Sequence, residues 1–145
     1  MAITTAMCTS FKQELLGGVH DLDTHTIKLA LIKNSMSGTY GAATTNYSDV
    51  TGNSDESSGT NYTAGGQNLD SAAIAVSSTT AHVDFADEVF SNVTTSAAGC
   101  IIYNSSASNK AICVISFGGT VSATAGDLTI EFPAANASNA VIRIA

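Results

Sequence analysis

The chain has 145 residues, with 18 Ser, 18 Thr, 22 Ala and 12 Gly, but only 5 Lys and Arg against 12 Asp and Glu. A net charge of −7 leaves too few cations for the counterion release that drives nucleic-acid binding, so nucleic acid is not expected as a partner. No apolar run reaches the length of a membrane span, and Met1-Ala-Ile-Thr-Thr lacks the basic and apolar stretches of a secretion signal, so neither membrane insertion nor export is expected.

The length suits one domain over 1–145, with a lean core because so many apolar residues are Ala. A surface built from hydroxyls and small side chains is suited to burial against other protein. The five Asn-x-Ser/Thr triplets starting at Asn46, Asn61, Asn92, Asn104 and Asn136 are what chance yields in such a composition.

Residues 1–18 read as an N-terminal helix or arm. Ile3, Met7, Phe11 and Leu15 form an apolar stripe over 3–16, with Thr4 or Thr5 as the cap, Cys8 alongside and Gly17 in the left-handed position after Leu16. Residues 26–33 alternate Ile27, Leu29 and Leu31 with polar or small neighbours, as a half-buried strand does.

Residues 34–69 read as a long loop of Ser, Thr, Gly, Asn and Asp that carries Tyr40, Tyr47 and Tyr62. Long loops without structure of their own are functional or disordered, and aromatic residues argue against disorder. Two uses of the tyrosines stay open: contact with a partner, or pinning of the loop to its own domain.

Seven further strands are expected at 72–76, 81–86, 89–93, 98–104, 110–117, 127–132 and 139–144. Leu128, Ile130 and Phe132 should face inward, as should Val83 and Phe85, with His82 and Asp84 outward. Cys100-Ile-Ile-Tyr103 and Ala111-Ile-Cys-Val-Ile115 are apolar on both faces, which places them centrally. The expected fold is therefore all-β: an antiparallel β-sandwich or jelly roll of about eight strands over 19–145, with one short N-terminal α-helix. Four Lys, one Arg and Pro133 are few guards for so many strand edges, which implies that another subunit covers at least one of them, the last strand being the candidate.

No cluster is equipped for a reaction, and neither cofactor nor metal is expected. Cys100 and Cys113 would face one another across a symmetric hairpin, as core thiols in a reducing compartment. His20-Asp-Leu-Asp-Thr-His25 is rich in ligand types but matches no zinc spacing, and Asn53-Ser-Asp-Glu-Ser-Ser-Gly59 lacks the glycine and terminal acid of a calcium loop, so both read as solvated segments. Asp84, Asp87 and Glu88 read as a wet surface, His82 lacks an identifiable Ser partner, and no Gly-x-Ser-x-Gly elbow or phosphate loop is present.

Taken together, Ile3-Thr-Thr-Ala-Met-Cys-Thr-Ser-Phe-Lys-Gln-Glu-Leu-Leu16 with Val19-His-Asp21, Asn61-Tyr-Thr-Ala-Gly-Gly66, Val83-Asp-Phe-Ala-Asp87, Ile101-Ile-Tyr-Asn104, Asn109-Lys-Ala111, Phe132-Pro133 and the closing Asn136-Ala-Ser-Asn-Ala-Val-Ile-Arg-Ile-Ala145 resemble a family of small tailed-bacteriophage virion proteins of the head-decoration, or capsid cement, type. The resemblance runs nearly end to end. It implies a non-enzymatic protein made in the bacterial host cytoplasm, which binds the outer capsid surface across major capsid protein subunits and self-associates. It brings no catalytic residues. An acidic chain suits the outside of a shell, away from DNA. The expected contact residues are Ile3, Met7, Phe11 and Leu15 of the helix, or Tyr40, Tyr47 and Tyr62 of the loop. A tail or fibre-adaptor protein, or a receptor- or glycan-binding module, are the alternatives.

Overall fold

The computed structural model describes all 145 residues. Ten strands fall in three sheets: β1 (Ala2–Ile3) with β4 (Thr39–Tyr40); β10 (Ile142–Ile144), β7 (Thr80–Asp84) and β6 (Ala73–Ser77); and β2 (Ala6–Met7), β9 (Lys110–Ile130), β8 (Glu88–Asn104), β3 (Ile27–Ile32) and β5 (Gln67–Asn68), each set in spatial order. Strand accounts for 47% of the residues, so the chain is mostly β. Every pairing is antiparallel except β1 with β4.

The centre is the β8–β9 hairpin. Four separately expected strands merge here into two, because Ala, Ser and Thr at positions 94–98 and 120–126 break the apolar alternation without breaking the ladder. Register shifts between Phe90 and Val93, Val93 and Thr95, Ala97 and Gly99, and Ile102 and Tyr103 take up the extra residues. The cysteines do not face one another: the pairing of Tyr103 with Ala111 is one residue off a hairpin symmetric about 105–108, and the shift at Ile102 adds another, so Cys100 lies opposite Ile115 and Cys113 opposite Ile102, diagonally placed. Cys100 to Tyr103 and Ala111 to Val114 are all buried, as residues flanked by strands on both sides should be.

The N-terminal helix is shorter than the apolar stripe implies. Residues 2–7 are extended, and α1 covers Thr9–Leu16 with Cys8 as its N-cap. Thr4 and Thr5 favour extended backbone; the Thr4 amide bonds Tyr40 O at 2.9 Å, and Thr5 Oγ1 accepts from the Ser116 amide at 3.0 Å. Strand β2 covers part of the β9 edge, pairing Ala6 with Val114 and Met7 with Cys113. The helix ends in two reciprocal bonds, from Gly18 N–H to Leu15 O at 3.2 Å and from Val19 N–H to Glu14 O at 3.0 Å. The left-handed residue is thus Gly18, φ 72°, and not Gly17, φ −83°.

The expected loop 34–69 also carries structure, including β4, a one-turn helix α2 (Ser48–Gly52) and β5. Gly66, φ 73°, lets the chain approach β3 so closely that a Cβ there would run into the Leu29 carbonyl. A single cluster of 27 buried apolar residues joins α1, this segment and the two larger sheets.

Candidate protein interaction surface

The seven residues expected to meet a partner divide by burial. Phe11 and Tyr40 lie in the core, 0% and 2% exposed, beyond reach of any partner in this conformation. Ile3, Met7, Leu15, Tyr47 and Tyr62 are half-buried and pack against that core.

Two carboxylates explain where the tyrosines go. Asp55 is fully buried and accepts hydrogen bonds from Tyr40 Oη at 2.6 Å, Gly38 N–H at 2.8 Å and Ser37 N–H at 2.9 Å, with Lys33 Nζ at 3.5 Å. Burial opposes its ionisation, but these donors and the ammonium outweigh burial and pull its pKa down to about 2. Burial and the neighbouring carboxylate push Tyr40 up to about 12. Half-buried Glu56 accepts from Tyr47 Oη, from Tyr62 Oη at 2.8 Å and from Gly65 N–H at 2.7 Å. Tyr62 Oη in turn accepts from Leu31 N–H at 3.0 Å, and Tyr47 stacks on Tyr103 with centroids 4.5 Å apart. The segment expected to be solvated at 53–59 therefore turns its acids inward. Through Leu31 and Tyr103, Tyr62 and Tyr47 pin the 34–69 segment to its own domain.

The polar residues after α1 form a network as well. His20 Nε2 donates to Glu14 Oε2 at 2.7 Å, and Lys110 Nζ lies 3.1 Å from Glu14 Oε1. Burial disfavours the Glu14 anion, yet the bonds from His20 and Lys110 prevail and lower its pKa. The buried Asn104 amide donates to Nδ1 of His20 at 3.1 Å and of His25 at 2.9 Å. Asp21 accepts the Asp23 and Thr24 amides at 3.1 and 3.2 Å, so this stretch is a tight turn, not the extended run that would align Asp21, Asp23 and His25. No three His, Cys, Asp or Glu side chains converge on a common point.

His82 departs from its expected outward place: it is 6% exposed, and Ser77 Oγ lies 3.0 Å from its Nε2 while its Nδ1 has no partner. No acid orients the ring. Asp87 accepts the Phe132 amide at 2.8 Å, a structural task at the end of β9. Leu128, Ile130, Val83 and Phe85 do face inward.

The most exposed apolar surface belongs to the β10-β7-β6 sheet. Ile74, Val83 and Ile142 form one cross-strand row, and Val76, Ala81 and Ile144 a second on the same face. The row between them, Ala75, His82 and Arg143, points to the opposite face. Val83 and Ile142 are covered, but Ile74, Val76 and Ile144 are 56%, 70% and 50% exposed. With Leu15 and Leu22 this face bounds a cavity of about 470 Å³. Nearby Leu16, at the end of α1, is 92% exposed. Both outer strands are bare: β6 and β10 each pair with β7 and with nothing else. β6 reads Ala-Ile-Ala-Val-Ser, without a charge or proline to guard it. Alternation at 72–76 was visible in the sequence, but nothing in it marked this strand as an edge.

These features define a β-rich chain whose distinctive surface is an unguarded small sheet. Comparison with family models, curated proteins and solved structures found no match. No helix is long and apolar enough to cross a membrane.

Proposed function

We propose that the chain is a virion structural protein of the head-decoration type, which binds the outer surface of a tailed-phage capsid across neighbouring major capsid subunits and associates with further copies of itself. One observation carries the reading: the β10-β7-β6 sheet presents two unguarded edges and an exposed apolar rim of Ile74, Val76 and Ile144. Because Ile74, Val76 and Ile144 are already partly covered, completing their burial against a partner contributes about 1–2 kcal/mol each, and edge pairing supplies backbone bonds in register. Antiparallel sheets that share one buried core suit a sandwich or jelly roll. The buried thiols of Cys8, Cys100 and Cys113 are unpaired, which suits synthesis in a reducing cytoplasm.

The test is binding of the purified chain to particles of the encoding phage that lack it, followed by electron microscopy. Added density at joints between capsid subunits, in many copies, is expected. Density confined to the tail would replace decoration by the adaptor reading, and no binding to any part of the particle would overturn both. Deleting residues 1–16 is a poor test, because it removes Cys8 and Phe11 from the core.

A further inference from the structure

A second apolar groove, of about 390 Å³, lies between α1 and β10 and is lined by Met7, Lys12, Leu15, Leu16, Arg143 and Ile144. Arg143 and Ile144 point to opposite faces of β10, so a groove touching both runs along the strand's edge. That edge is the unpaired one, because β7 occupies the other side. Four of the lining residues are apolar and two are cations.

The cations are the unusual part. The chain has only 5 Lys and Arg for a net charge of −7, and Lys33 and Lys110 are taken up by Asp55 and Glu14. Neither Lys12 nor Arg143 is in an ion pair. The one hydrogen bond of the Arg143 guanidinium runs from Nη1 to the Ala137 carbonyl at 2.7 Å, which leaves its charge uncompensated. In a strongly acidic protein, two free cations at either side of an apolar floor are complementary to a carboxylate-bearing apolar ligand.

We propose that this groove receives an extended segment of a partner protein in which apolar and acidic residues alternate, added to the free edge of β10. Its apolar side chains rest on Leu15, Leu16 and Ile144, and its carboxylates meet Lys12 and Arg143. Period-two alternation is what a strand laid along an edge needs, since one face meets the apolar floor and the other the charged rim. A second copy of this chain offering β6 would leave both cations unmatched, because that strand carries no carboxylate. The inference rests on the virion-association reading and specifies the partner's chemistry: a surface-exposed acidic strand or arm of the shell protein.

The probe is a fluorescein-labelled Val-Glu-Val-Glu-Val-Glu peptide, titrated by anisotropy against the full chain beside its Val-Lys counterpart. The acidic peptide should bind at least about tenfold more tightly, and the difference should shrink with salt. A Lys12→Glu, Arg143→Glu double variant should reverse the preference. Leu16→Ser, at an exposed position that the fold does not need, should weaken binding about tenfold, with thermal melts confirming that both proteins fold. Equal affinity for the two peptides, or variants that bind as the parent does, would overturn the groove. On particles the two ideas separate. If the parent chain and the groove variants occupy capsids equally, the groove fails and decoration stands. If the acidic peptide binds but the parent chain never occupies particles, decoration fails and the groove stands.

Discussion

The Tyr40 hydroxyl donates to Asp55 Oδ2 at 2.6 Å, and both side chains are shut away from water. A buried carboxylate is costly unless donors surround it, and here Tyr40, Ser37 and Gly38 do so from β4 and the chain leading into it. The pair therefore ties the first half of the 34–69 segment to residues 55–57, which are themselves held at the end of β3 by bonds from Lys33 N–H to Asp55 O and from Ser57 N–H to Leu31 O. Tyr40→Phe removes one charge-assisted donor and should cost about 1.5–3 kcal/mol. Asp55→Ala strands the two amides and the phenol together and should cost about 3 kcal/mol or more. Urea unfolding with an unchanged slope would read both; losses under about 0.5 kcal/mol would show that the pair does not hold the segment.

The same carboxylate sets an acid limit. Burial works against the Asp55 anion, but its donors and Lys33 bring the folded pKa to about 2, below the usual 3.8. A depressed folded pKa means that the stabilisation is fully present above about pH 4 and is lost as pH falls from there through 2. The gap corresponds to about 2 kcal/mol. Stability measured across pH 5 to 2 should fall along this range, and Asp55→Asn should flatten part of the slope. An unchanged slope in that variant would assign the acid sensitivity to other carboxylates.

Much of this architecture could be read from residue patterns, but unevenly. Ile27 to Ile32, the alternation of Leu128 and Ile130, and the doubly apolar runs around Cys100 and Cys113 carry clear signals, and each lies in a strand, although β9 ends at Ile130 and leaves Phe132 half-buried beyond it. The N-terminus misled because Ile3, Met7, Phe11 and Leu15 are spaced as a helix stripe, although only the last two lie in α1; backbone bonds from Thr4 to Tyr40 and from Cys8 to Ile112 outweigh the spacing. The 34–69 segment had no period to find, because isolated contacts from Asp55 and Glu56 to tyrosines and backbone amides order it. The candidate interaction surface was legible as a shortage of edge-guarding charge and in the last strand, which is an edge as β10, whereas nothing marked β6 as the other edge. Which strands stay unpaired depends on the strand order, and hydrophobic alternation is silent about that.

The thiols should be inert while the chain is folded. Burial pushes Cys8 up to about 11 and Cys100 to about 12, and burial together with the neighbouring thiols raises Cys113 well above the usual thiol value. Thiolate, not thiol, is the attacking form, and all three sulfurs are at most 3% exposed by residue. With a chromogenic disulfide at pH 8, the native protein should release almost no chromophore, and urea should expose all three groups in one step. A fast-reacting group in the native state would place at least one cysteine at an opening that the packing does not show.

Association should depend on β6 at a position that folding does not need. Val76 is 70% exposed at the outer edge of the β10-β7-β6 sheet, whereas Val83, on the same face in the central strand, is 7% exposed. An edge lysine opposes strand pairing between molecules because the incoming strand and its sheet would have to desolvate the ammonium. Val76→Lys should therefore weaken self-association at least about tenfold while shifting Tm by only a few degrees, since an exposed substitution changes stability by about 0.5 kcal/mol or less. Val83→Lys buries an unpaired ammonium and should prevent folding. Sedimentation velocity over a wide concentration range separates these effects from one another. If the parent chain stays monomeric throughout, or if Val76→Lys assembles as the parent does, the β6 edge is not where copies of the chain meet.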